Sequence, residues 1–140
     1  MVNYYGSSSG MDKNQENTHT DMDSGVYIAI FYMPIYRSIQ IGQLGRFNFH
    51  QGIYFYAGSA QRNLTPRLER HGRKKKHIHW HIDYLSVHAE MIGVITIPGQ
   101  REHECKIAQE LGKMFELAVP DFGASDCRCA GHLFYAPKLL

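Results

Sequence analysis

The chain is 140 residues long, 44% hydrophobic and 20% charged, with a formal charge of +2 at neutral pH. That length supports one domain burying about two-thirds of its unfolded surface. No apolar run approaches the ~18 residues of a membrane span and no signal-peptide pattern opens the sequence, so a cytoplasmic address and no membrane partner are the expectation.

Residues 1–24 are polar and carry four acids against one lysine, which leaves the remainder at +5. A stretch so poor in aliphatic residues cannot offset its ordering entropy and reads as a flexible tail, with a single domain over 25–140.

Gly25–Met33 is rich in β-branched and aromatic residues and stops at Pro34, as a central strand does. Ile39–Ile41 and Arg46–Phe49, around Gly42 and Gly45, read as an inserted β-hairpin. In the strand from Gly52, the alternation of Ile53, Phe55 and Ala57 with Tyr54 and Tyr56 predicts one buried face and one face carrying two phenols. Gly58, Ser59 and Ala60 then predict a turn.

Asn63 is the expected cap of a helix whose first turn tolerates Pro66 and which stops near Gly72. On it Leu64, Arg67, Leu68 and His71 share one side. A short helix is expected near Trp80 and an apolar strand over Met91–Ile97. From Gln100 to about Ala118 the period is helical, with Ala108, Leu111, Phe115 and Ala118 on the buried stripe. Glu104 falls within roughly 40° of that stripe's centre at ~100° per residue. A carboxylate facing inward needs a partner or a task; the structural alternative is a rim residue that caps or pairs with an arginine. The end of the chain is turn-rich, with a short apolar segment over Leu133–Ala136 that reads as an edge strand or an irregular cap. The fold class is therefore α+β, a small antiparallel sheet flanked by helices.

Seven of the 15 lysines and arginines lie between Arg62 and Lys76, against the single acid Glu69. A solvated turn would account for them, but so would a phosphate-binding surface built from Arg62, Arg70, Arg73, Lys74, Lys75 and Lys76. Three cysteines are a poor basis for a secreted disulfide framework. His77, His79 and His81 at period two could share a strand face and bind metal, although packing or surface roles are commoner. Cys127, Cys129 and His132 supply zinc-type ligands, but the one-residue gap between the cysteines departs from the usual two-to-four spacing, and zinc there is the less favoured reading.

Gly25-Val26-Tyr27, then Tyr56-Ala57-Gly58, then Arg67 and His71, then Glu104 together resemble the GIY-YIG nuclease superfamily. In particular, with WHIDYL and GASDCRCAGHLFY, the chain resembles the branch known as DUF123. The resemblance spans roughly 25–137. It implies a GIY-YIG-like fold and a metal-dependent endonuclease that hydrolyses phosphodiester bonds with one Mg2+ or Mn2+. By position it implies that Tyr27 is the general base or its relay, Tyr56 orients water or phosphate, Arg67 stabilises charge on the phosphoryl oxygens, His71 assists, and Glu104 holds the metal. Such chemistry adds negative charge to oxygens that already carry it, so a fixed guanidinium and a hard cation would lower the barrier. The implied partner is nucleic acid, DNA ahead of RNA. The motif tyrosines lie further apart than is usual in the superfamily, because of the 39–49 hairpin. Ser125 and Asp126 stand where an asparagine is common. The competing readings are a non-catalytic nucleic-acid-binding module of the same fold and a metal-stabilised interaction domain.

Overall fold

The computed structural model describes residues 2–3, 23–124 and 127–137. Its centre is an antiparallel pair, β2 (Gly25–Met33) and β5 (Gly52–Ala60), matched residue for residue from Gly25 opposite Ala60 to Met33 opposite Gly52. β6 (Glu90–Ile97) flanks β2, with a register shift at Ile30/Phe31, and β8 (Leu133–Ala136) flanks β5. Two-residue strands complete the sheet. β1 (Val2–Asn3) pairs with β6 and β7 (Glu116–Leu117) with β8, giving the order β1-β6-β2-β5-β8-β7. The inserted hairpin forms as expected, β3 (Arg37–Ile41) on β4 (Gly45–Phe49), joined by a 3-10 turn over Gly42–Leu44. The fold is α+β.

Helices cover both faces. α1 (Leu64–Gly72), α2 (His81–Ser86) and the hairpin close over Tyr27, Ala29, Phe31 and Tyr54, burying Leu64, Leu68, Ile82, Leu85, Ile39 and Phe49 with them. On the other face α3 (Glu102–Met114) packs Ala108 and Leu111 on Ile28, Ala57 and Phe134. The expectation of a single buried face on β5 is thus wrong: Tyr54 is as buried as Ile53, because the hairpin supplies a second apolar layer. None of the helices among the described residues is long and apolar enough to cross a membrane.

Three local readings are corrected. Gly58, Ser59 and Ala60 do not turn; they continue β5, opposite Tyr27, Val26 and Gly25. Gly58 is required for room instead, since a Cβ there would lie 2.5 Å from Tyr27 Oη. Asn63 does not cap α1: it is left-handed (φ 60°) and its side chain bonds to nothing there. The cap is Asp23, whose carboxylate accepts the Thr65 N–H (2.8 Å) and hydroxyl (2.9 Å) while its carbonyl accepts the Leu64 N–H (3.0 Å). Lastly, α3 ends at Met114, earlier than the expected 118. Phe115 becomes extended and stacks on Phe55 at 4.7 Å, freeing Glu116 and Leu117 to pair with β8. The tail assigned to 1–24 falls outside the described residues except for β1, Asp23 and Ser24.

Candidate active site

Where β5 ends, a cavity of about 680 Å³ opens between the helical layers. Tyr27, Tyr56, Arg67, His71 and Glu104 all line it. Tyr27 and Tyr56 reach it from the α1 face of the sheet, their ring centroids 6.3 Å apart. Tyr27 Oη lies 2.8 Å from His71 Nε2, and His71 Nδ1 is buried without a hydrogen-bond partner. Burial lowers the His71 pKa to about 3, with the Lys76 charge adding to the effect, so the ring is neutral near pH 7. Burial likewise raises both phenols above their ordinary value. The Arg67 charge opposes this at Tyr27 and Tyr56 without reversing it, and the Glu104 charge reinforces it.

Arg67 is held from two sides. Its Nη1 donates to the Ser59 carbonyl at 2.8 Å, and its guanidinium lies over the Trp80 ring at 4.7 Å. Glu104 reaches the cavity rim from α3, across the sheet. There Ser59 Oγ donates to Glu104 Oε1 at 2.5 Å, so one residue of β5 holds the guanidinium by its backbone and the carboxylate by its side chain. Glu104 Oε2 lies 2.8 Å from His132 Nδ1, a partner not considered from sequence, and the Arg101 charge also acts on the carboxylate. Burial raises the Glu104 pKa, but the His132 and Ser59 hydrogen bonds outweigh it and keep the carboxyl below its ordinary value.

The basic segment divides. Arg70 is not a free cation: it forks onto Asp83 (Nη1 to Oδ1 2.9 Å, Nη2 to Oδ2 2.8 Å), donates to the His77 carbonyl and also lies over Trp80. Asp83 is fully buried and takes the N–H groups of His79 and Trp80 as well, which sets the start of α2. Lys74 pairs with Glu90. Lys76 donates to the carbonyls of Arg70 and His71 and to Ser86 Oγ, and burial lowers its pKa to about 8. Arg62, at the cavity, with Arg73 and Lys75, is exposed.

His77, His79 and His81 do not share a strand face. His77 and His79 lie in the segment before α2, and His81 opens α2 with its Nδ1 accepting the Gly123 N–H at 2.9 Å. Cys127 and His132 do approach, Sγ to Nε2 3.5 Å, and with Cys129 and Cys105 they form a cluster whose ligand atoms all lie within 4.8 Å of one another. Sequence reasoning missed Cys105, Ser59 and Trp80. The one available signal for Cys105 was its place beside Glu104 as the one cysteine of the three outside the Cys127 and Cys129 pair. Ser125 and Asp126 lie outside the described residues.

The family described as Domain of unknown function DUF123 matches residues 26–139, and the chain belongs to it. No curated protein matches the chain, and no solved structure does.

Proposed function

We propose that this DUF123 chain is a metal-dependent endonuclease of the GIY-YIG type that hydrolyses nucleic-acid phosphodiester bonds. The observation that carries the reading is the presence of Tyr27, Tyr56, Arg67, His71 and Glu104 around one open cavity, although they come from two strands and from helices on opposite faces of the sheet. A hard divalent cation fits the donor chemistry here: Glu104 is an ionised oxygen donor at the cavity wall, and water and phosphate oxygens would complete the shell. Bound through Glu104, Mg2+ or Mn2+ would supply a Lewis acid for a phosphoryl oxygen and an acidified water.

The geometry supports a role for each of the protein's own groups. Arg67, fixed by Ser59 and Trp80, offers its remaining N–H groups to phosphoryl oxygens without reorganising as charge builds on them. Tyr27 and Tyr56 are neutral phenols, so they orient water and phosphate by hydrogen bonds instead of acting as standing phenolates. The neutral His71 ring holds Tyr27 in place. Arg62, Arg73 and Lys75 would meet the flanking backbone of DNA or RNA.

One observation favours a second reading. Both Glu104 oxygens already have partners, Ser59 and His132, which would suit a structural carboxylate in a module that binds nucleic acid without cutting it. Labelled DNA and RNA incubated with Mg2+ or Mn2+ separate the two. The endonuclease reading expects metal-dependent cleavage that falls by about two orders of magnitude in a folded Glu104→Gln variant. A wild type that binds but never cuts with either metal supports the second reading, and a folded Glu104→Gln that cuts at the wild-type rate removes Glu104 from the chemistry.

A further inference from the structure

Cys105 on α3 and, more than twenty residues later, Cys127, Cys129 and His132 in the segment just before β8 bring three thiols and an imidazole together. All three cysteines are free thiols. A tetrahedron with Zn–S bonds of ~2.3 Å separates its sulfur ligands by about 3.8 Å, so donors already within 4.8 Å of one another need only small movements to close on one ion. Three soft thiolates and one imidazole select zinc over the hard cations that suit Glu104.

The orientation of His132 gives a second, independent argument. Its Nε2 faces the thiol cluster, 3.5 Å from Cys127 Sγ, while Nδ1 faces Glu104 Oε2 (2.8 Å) and the Ala57 carbonyl (3.2 Å), both of which only accept. The proton therefore belongs on Nδ1, and the Nε2 lone pair points at the sulfurs. A histidine that donates from one nitrogen to a carboxylate and a carbonyl while presenting the other to a metal is the recurrent second-sphere arrangement of zinc sites.

We infer that Cys105, Cys127, Cys129 and His132 bind one structural zinc ion, with Glu104 as the carboxylate that orients His132. Four protein donors close the coordination sphere, so the ion holds the fold together and leaves no position for substrate. It ties α3 to the turn-rich segment before β8. Because Cys105 and His132 flank Glu104 by sequence and by hydrogen bond, it also fixes the carboxylate at the cavity rim.

The test is independent of cleavage. The full chain, purified under reducing conditions, is expected to carry one zinc per molecule by elemental mass spectrometry. Exchange with Co2+ is expected to give the intense visible bands of a tetrahedral ion and the near-ultraviolet thiolate charge transfer. Cys105→Ser should shift the cobalt spectrum and weaken zinc binding. Glu104→Gln should keep the stoichiometry but weaken zinc affinity about 10- to 100-fold. A folded wild type that holds no zinc and gives no thiolate band with Co2+ overturns the site, and so does a mass showing an oxidised cysteine pair in the purified, folded chain. Should Cys105→Ser fail to fold, the wild-type cobalt spectrum alone decides, because thiolate charge transfer requires sulfur ligation.

Discussion

Tyr27 Oη and His71 Nε2 meet at 2.8 Å inside the protein, although 44 residues separate them along the chain. The contact joins the first strand of the central pair to the last turn of α1, where both side chains are buried at the cavity wall. Its protonation behaviour follows. His71 titrates near 3 when folded and near 6.5 when unfolded, so in that interval the unfolded chain binds the extra proton. The stability contributed by neutral His71 is complete above about pH 6.5 and is lost as pH falls toward 3, with a slope of up to about 1.4 kcal/mol per pH unit. Urea unfolding across that range should show the slope in the wild type and a shallower one in His71→Gln.

Gly58→Ala should harm the site more than its size suggests. The new methyl would fall 2.5 Å from Tyr27 Oη and 2.6 Å from Cζ, so the ring must leave its position beside His71. Overpacking of this kind costs about 1–3 kcal/mol. The expected outcome is a folded but less stable chain with a changed Tyr27 environment, measurable by denaturation and by tyrosine near-ultraviolet circular dichroism.

Asp83→Asn tests the clamp beneath the cavity. Asp83 is fully buried and neutralises Arg70, so the substitution leaves a guanidinium short of its counter-charge at a cost of about 3–5 kcal/mol. Burial raises the Asp83 carboxyl, but the Arg70 hydrogen bonds and the two backbone N–H groups prevail and hold it below the ordinary value. Its contribution is therefore present at neutral pH and is lost as pH falls through the depressed value. A thermal midpoint that barely moves in Asp83→Asn would contradict this account.

Nucleic-acid affinity, where measured, should depend on Arg62, Arg73 and Lys75 more than on Arg70, Lys74 and Lys76. The first three are exposed and the other three are engaged within the protein. Each lost phosphate contact should reduce the slope of log affinity against log salt by about 0.9 on duplex DNA. Glutamine substitutions at Arg62, Arg73 and Lys75, titrated at several salt concentrations, give that slope directly.

The sequence was most legible where one local pattern decided the outcome. The strand Gly25–Met33 and the hairpin follow from apolar runs broken by glycine and proline, and the structure has them; Leu133–Ala136, readable only as an edge strand or a cap, is an interior strand because Glu116 and Leu117 pair with its outer side. The inward phase of Glu104 was also readable, since helical geometry places it over Ala108 and Leu111. What could not be read was supplied by distant chain. Asp23 displaced Asn63 as the cap, Asp83 took Arg70 out of the basic surface, and His132 became a hydrogen-bond partner of Glu104. Nothing in the local spacing of Arg70 or Glu104 encodes those partners. The error at Gly58 has the same origin: glycine permits a turn, but here it makes room for a ring on the opposite strand.

The Asp23 cap bears on how the domain may be cut. The family match begins at residue 26 and the first long strand at Gly25, so a truncated version would naturally start at one of those positions. Either start discards the carboxylate that holds the first turn of α1, the helix that carries Arg67. A loss of about 1 kcal/mol is expected from the missing cap alone, concentrated at the end of α1 beside the cavity. A shortened protein could then keep its fold and still lose guanidinium placement, and a silent assay on it would say nothing about the intact chain. Retaining the two residues before the strand avoids that false negative.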